Sequence, residues 1–184
     1  MLTGKQLKSL ATLVNKSTYG ERRVVIIDNK GSTSSGSPCA RLWCTDGHCA
    51  VLHTVEGAQG PTDPIAYDCA VLVKLAARDI VYIEDDGRLR DTRGPLPISE
   101  VIGGSEAPDL DSVTPEYRGC RSSDECHGFA PPLMQRVMKT LIATTPVELL
   151  GASIAARFQL GVDSLSPTKI EYGPTMALVM PCRL

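Results

Sequence analysis

Seven cysteines and three histidines are the residues best suited to hold a metal, and several sit close together. Cys39, Cys44, His48 and Cys49 form a C-x4-C-x3-H-C string, with Cys120, Cys126 and His127 later in the chain. A structural zinc takes about four sulfur or nitrogen ligands, usually from pairs spaced two to four residues apart. The spacings here are not such pairs. Cys44 and Cys49 flank Thr45-Asp46-Gly47-His48 and would face each other across a hairpin. Buried reduced thiols are the plainer reading, and a small zinc-binding regulator is the alternative.

Signatures of catalysis are missing. The chain has no G-x-S-x-G, P-loop, H-E-x-x-H or dinucleotide fingerprint. Asp85-Asp86 precedes Gly87 and reads as a hairpin turn rather than a metal-binding carboxylate pair. His53 and Asp68 have no evident nucleophile to act with. We therefore expect no enzyme activity, no catalytic residue, no metal and no cofactor.

The remaining chemistry is that of charge. Lys5, Lys8 and Lys16 lie in one helical pattern, Lys74 and Arg78 in a second, and Arg136 and Lys139 in a third. Such cations bind phosphate without reading bases. Solvated helix faces carry Lys and Arg in any case, so the pattern alone does not decide between the two readings. The formal net charge of -2 argues against a protein that coats nucleic acid by overall basicity. A local basic surface on an acidic body is compatible with it.

These residues are positioned by a simple order of elements. Leu7, Leu10, Ala11 and Val14 recur at helical spacing, and a strand-like run from Arg22 to Ile27 follows. A Gly/Ser-rich segment, Lys30 to Pro38, reads as a loop. Ala40 to Cys44 and Cys49 to Val55 read as strands around a turn. Asp68 to Arg78 is expected as a helix, Ile80 to Glu84 as a strand, and Arg88 to Arg93 as its returning partner. The stretch 111–130 reads as an irregular crossing. Pro132 starts a third helix, with Leu133, Val137, Met138 and Leu141 as its apolar stripe. Thr145-Pro146 would cap a short helix through about Ala155. Arg157 to Val162, Thr168 to Tyr172 and Met176 to Met180 then read as three strands.

The result is three units of helix followed by strands, at about 1–57, 64–113 and 127–184. The repetition is of pattern rather than of letters. Tight turns between strands imply antiparallel pairing, with each helix on one sheet face. We expect an α+β fold, divided at 115/116. At 184 residues and 42% hydrophobic composition, the chain can bury a core without cross-links. It has no apolar leader and no run of about 18 apolar residues, so a cytoplasmic protein away from membranes is expected.

Four segments of the chain resemble the bacterial DNA sliding clamp, the DNA polymerase III beta subunit family. The end, Val179-Met180-Pro181-Cys182-Arg183-Leu184, is similar to that family's V-M-P-x-R-L tail. Asp163 to Glu171 resembles the preceding hairpin. Leu42-Trp43-Cys44-Thr45-Asp46 resembles a strand end of the first unit, and Ala107-Pro108-Asp109-Leu110 the segment that closes a clamp domain. A clamp subunit carries three full domains of two such units each; the present pattern corresponds to a first domain joined to the last half of a third.

The resemblance implies half-domains of the clamp type, with helices lining an inner surface. It implies a processivity factor that associates with duplex DNA without sequence preference and tethers a polymerase or other clamp-motif proteins. It further implies a homo-oligomer, with the reduced size of a phage or mobile-element protein. Lys5, Lys8, Lys16, Lys74, Arg78, Arg136 and Lys139 would face DNA. Leu133, Leu165, Leu178, Val179, Met180, Pro181, Arg183 and Leu184 would line an apolar groove for a partner peptide, a task that suits adaptable Met and aliphatic side chains. A clamp-like interaction module that forms no ring is the competing reading.

Overall fold

The strand after the first helix is apolar on both sides, as a strand covered on both faces must be. Val25 and Ile27 join the main core, while Val24 and Ile26 join a second cluster on the opposite face. A computed structural model describes this chain over residues 2–14, 23–32, 36, 38–99, 128–150, 155–161 and 166–181.

The strands are β1 (Leu2–Thr3), β2 (Val24–Ser32), β3 (Pro38–Thr45), β4 (Cys49–Val55), β5 (Ile65–Asp68), β6 (Ile80–Ile83), β7 (Leu89–Asp91), β8 (Gly94–Pro95), β9 (Arg157–Gln159), β10 (Thr168–Tyr172) and β11 (Thr175–Val179). The helices are α1 (Gly4–Val14), α2 (Cys69–Leu72), α3 (Pro131–Thr144) and α4 (Val147–Leu150). Two sheets form, one ordered β5-β2-β3-β4-β11-β10-β9 and the other β1-β6-β7-β8. Every described strand pair is antiparallel. The fold is thus mixed α and β, with antiparallel sheets and few helices.

Two features organise the sheets. The short strand before each of the first two helices crosses to the other sheet: β1 pairs with β6, and β5 pairs with β2. The first and third stretches of the chain share one sheet, because β4 pairs with β11 from Cys49↔Val179 to His53↔Thr175. The division expected at 115/116 lies outside the described residues.

Helices α1 and α3 lie against each other and against the large sheet. Leu7, Leu10, Ala11 and Val14 are buried, as are Leu133, Val137 and Leu141. Full burial of one such Leu or Val stabilises the fold by about 1.5–3 kcal/mol. On the opposite sheet face, the buried Arg41 guanidinium donates to Asp28 Oδ1 at 2.8 Å and Oδ2 at 3.0 Å, and the Trp43 indole also donates to Oδ2.

Several expected boundaries shift. The second helix, expected from Asp68 to Arg78, is only the single turn α2. Asp68 caps it by accepting from Ala70 N. Beyond it the chain tightens, with Lys74 N and Leu75 N donating to the carbonyls of Val71 and Leu72, and the Gly4 and Lys5 amides of α1 donate to the carbonyls of Asp79 and Ala77. The approach is so close that a Cβ on Gly4 would lie 2.1 Å from the Ala76 oxygen. β2 extends to Ser32, into the segment read as a loop, with an irregularity in pairing between Asp28 and Gly31. The helix expected through Ala155 is the one turn α4, and 151–154 lie outside the described residues. Among the described residues, no helix is long and apolar enough to cross a membrane.

Candidate nucleic-acid interface

The start of α1 is fixed by a reciprocal cap. Thr3 N donates to Gln6 Oε1 at 2.9 Å, and Gln6 N donates to Thr3 Oγ1 at 3.3 Å. This T-x-x-Q arrangement satisfies amides that the first helical turn cannot pair internally. The start of α3 uses proline instead, where a missing N–H costs nothing. From these starts, Lys5 and Lys8 on α1 and Arg136 and Lys139 on α3 come to line one groove of about 390 Å³. All four are exposed, and among the described residues no carboxylate lines the groove with them.

The hydroxyls in the groove are directed inward. Ser9 and Thr12 donate to the carbonyls of Lys5 and Lys8, and Thr140 donates to that of Arg136. Each is a back-bond to the preceding helical turn, which uses the hydroxyl proton. Donation to an anion in the groove therefore falls to the cations. Among the described residues, Lys5, Lys8 and Lys139 have no ion-pair partner.

Arg136 has a second task. Its Nη1 donates to Leu13 O at 3.3 Å, near the end of α1, and its Nη2 donates to Asp46 Oδ2 at 3.2 Å. Asp46 Oδ1 also accepts from His48 N and Cys49 N, each at 2.9 Å. Burial opposes the Asp46 charge, but the amides of Cys49 and His48, the Cys49 thiol and Arg136 together hold its pKa below the ordinary value. Arg136 thus ties α3 to α1 and to the turn between β3 and β4.

Beneath the groove, the same helices enclose a buried polar cluster. His53 Nδ1 lies 2.9 Å from Thr175 Oγ1, and Thr144 Oγ1 lies 3.0 Å from that same oxygen. Gln6 Nε2 donates to Thr144 O at 2.8 Å and lies 3.4 Å from His53 Nε2. Burial pushes the His53 pKa down to about 4, with a smaller contribution from the positive N-terminus. This cluster joins α1, β4, α3 and β11. His53 is a buried structural group here, and Asp68 serves as a helix cap.

The other expected cations are dispersed. Lys74 borders a separate shallow pocket beside Asp91, Arg93 and Leu96. Arg78 is exposed, next in sequence to Ala77, which borders the basic groove. Lys16 lies outside the described residues.

Strand alternation divides the residues expected to line an apolar tail groove. Successive side chains of β11 point to opposite faces. Val179 is buried in the main core with Leu133, whereas Leu178 belongs to the cluster on the other face with Trp43. All three are buried within this chain. Met180 is exposed and Pro181 half-buried, while Leu165, Arg183 and Leu184 lie outside the described residues.

The thiols also have a packing role. Cys39, Cys44, Cys49 and Cys69 are free and buried. Burial pushes the Cys69 thiol up to about 12 and raises Cys39, Cys44 and Cys49 as well. Among the described residues, no group of three or more His, Cys, Asp or Glu side chains is placed to hold a metal. Cys120, Cys126 and His127 lie outside the described residues. The Asp85-Asp86-Gly87 turn forms as expected, with Asp86 Oδ1 accepting from Arg88 N and Gly87 at φ 78°.

Sequence reasoning missed Asp46 as the anchor of Arg136, and it missed the Gln6–His53–Thr144–Thr175 cluster. The capping pair Thr3 and Gln6 was available as a signal for the helix start. The cluster left none, because its hydrogen-bonded pairs are up to 138 residues apart.

No family model and no curated protein matches this chain. A solved structure does: the crystal structure of a "Putative DNA polymerase III beta subunit" from Eubacterium rectale ATCC 33656, with a TM-score of 0.54 at 9% sequence identity. The match covers 100% of this chain and 64% of that protein, so the chain spans less than two thirds of its length. At that identity the likeness is one of fold: the chain is folded like that beta subunit.

Proposed function

We propose that this protein is a clamp-like processivity factor that holds duplex DNA without reading its sequence. The observation that carries this reading is the convergence of Lys5, Lys8, Arg136 and Lys139 on one groove between α1 and α3, with no described carboxylate lining it. Phosphates there would meet three lysines with no described ion-pair partner, beside an arginine fixed by Asp46. Binding of this kind positions a duplex and carries no base specificity.

The fold likeness supports the same reading, as does the crossing of β1 and β5, which resembles two half-units exchanging their first strands. Lys16 and Arg78 would add peripheral charge, whereas Lys74, beside Asp91 at a separate pocket, would add little. Tethering of a polymerase or another clamp-motif protein would use the chain end from Met180 to Leu184, since Leu178 and Val179 are committed to packing. Soluble, cytoplasmic action in replication without catalysis is part of this proposal.

The test is duplex binding by fluorescence anisotropy across a salt series. The wild type should bind duplexes of unrelated sequence equally. Its affinity should fall steeply with salt, and Lys5→Glu/Lys8→Glu/Lys139→Glu should abolish most of it. Equal binding by that variant would refute the assignment.

A further inference from the structure

One side chain closes an end of each long helix. At the start of α1, Gln6 Oε1 accepts from Thr3 N at 2.9 Å and from Thr3 Oγ1 at 3.1 Å. At the end of α3, Gln6 Nε2 donates to Thr144 O at 2.8 Å, in the turn whose carbonyls lack partners within a helix. A backbone N–H and a backbone C=O have fixed roles, so the Gln6 amide has one orientation. Turning it over would set Nε2 against Thr3 N and Oε1 against Thr144 O.

That orientation places the protons of the whole cluster. The second Nε2 hydrogen of Gln6 faces His53 Nε2 at 3.4 Å, so this ring nitrogen accepts and carries no proton. A neutral imidazole then holds its proton on Nδ1, which donates to Thr175 Oγ1 at 2.9 Å. Thr144 Oγ1 donates back to the carbonyls of Thr140 and Leu141, at 2.9 and 3.1 Å. The hydroxyl of Thr175 therefore donates to Thr144 Oγ1 at 3.0 Å. Gln6, His53, Thr144 and Thr175 are all buried, so no water competes for these bonds.

We infer that Gln6 and His53 form an acid-sensitive latch, in which a proton on His53 Nε2 sets two donors face to face and detaches the start of α1. Gln6 cannot turn to accept that proton without losing both Thr3 N and Thr144 O. The groups set around the ring are Gln6 of α1, Thr144 of α3, Thr175 of β11 and, across the strand pair, Leu42 of β3, none of which titrates. The Cys44 and Cys49 thiols of the same core are held neutral by burial. Arg41 of β3 is paired with Asp28 on the opposite sheet face, and Asp46 is paired with Arg136. Lys5, Lys8 and Lys139 of the two helices are exposed. The charge that acts on the ring is the positive N-terminus, which opposes protonation. An imidazolium here thus has no counter-ion among the described residues. Because α1 carries Lys5 and Lys8 along one wall of the basic groove, the latch also holds that wall in place. The inference rests on the geometry of the cluster and does not depend on DNA binding.

Nitrogen-15 NMR of the wild-type imidazole tests it without a variant. At pH 7, His53 should show a protonated Nδ1 and an unprotonated Nε2. As pH falls, the amides of Thr3 and Gln6 should lose protection from hydrogen exchange in step with the His53 titration, expected near pH 4, while the amides that pair β2 with β3 keep theirs. Gln6→Glu puts a negatively charged acceptor before His53 Nε2 and should move the ring's titration up by about 1–3 pH units. A neutral ring protonated on Nε2 would overturn the proposal. So would Thr3 and Gln6 protection that outlasts the His53 titration, loss of β2–β3 protection at the same pH, or a folded Gln6→Glu protein whose His53 titrates no higher than in the wild type.

Discussion

Helices α1 and α3 have one side in the core and one side in solvent, and the two sides do different work. On the inner side, Leu7, Leu10, Val137 and Leu141 are packed, and the polar groups of Gln6, His53, Thr144 and Thr175 are satisfied by one another. On the outer side, Lys5, Lys8 and Lys139 point from the same helical turns into an open groove. Lys139 is exposed, and the very next residue, Thr140, is buried. On the proposed reading, inner positions set stability and outer positions set affinity for an anion, with Arg136 acting on both.

The largest effect on stability should come from the inner side. Leu141→Ala removes a fully buried side chain between α3 and the sheet. A loss of about 2–5 kcal/mol is expected by denaturant unfolding. If the variant folds, its duplex affinity should stay within about twofold, since a tenfold change would need about 1.4 kcal/mol.

The buried histidine gives a pH signature. Its folded pKa is about 4, below the ordinary 6.5, so the folded state binds fewer protons than the unfolded state between those values. Stability should be fully present above pH 6.5 and fall as pH drops toward about 4, by up to roughly 3 kcal/mol from this group. Asp46 and Asp91, whose pKa values are held below the ordinary carboxylate value, contribute stability that is lost at more acidic pH. His53→Gln should flatten the segment between pH 6.5 and 4 in a melting-temperature series, leaving the more acidic segment in place. An unchanged slope would contradict the assignment.

Arg136 is where the two sides meet. Arg136→Ala removes the partner of a buried Asp46 carboxylate and a donor to Leu13 O. A destabilisation of about 1–3 kcal/mol is expected, together with weaker duplex binding. Lys8→Ala should weaken binding with a stability change within about 0.5 kcal/mol. Lys74→Ala, beside the Asp91–Arg93 pair and away from the groove, should have the smallest effect on both.

Much of this division was legible in the sequence. The apolar spacing of Leu7 to Val14 and of Leu133 to Leu141 located two helices, and most strands followed from alternation and turns. The Asp68 to Arg78 segment misled, because beyond Leu72 its amides turn to carbonyls three residues back and its far end packs on the start of a different element. The strands β1 and β8 were too short to show a period. The cations were visible as residue types, but the convergence of α1 with α3 depends on β4 pairing with β11, which no local pattern records. The tail motif was legible as letters. Its burial followed from strand direction, which sends Leu178 and Val179 to opposite faces.

The most direct measurement of the central claim is the salt dependence of duplex binding by the wild type and by Lys5→Glu/Lys8→Glu/Lys139→Glu, with Lys74→Glu as control. Each phosphate that is no longer neutralised should reduce the slope of log affinity against log salt by about 0.9. A DNA-binding groove between α1 and α3 predicts a slope reduced by two to three such steps in the triple variant, at unchanged stability, and little change in the control. Equal slopes in the wild type and the triple variant, or an equal reduction in Lys74→Glu, would contradict it.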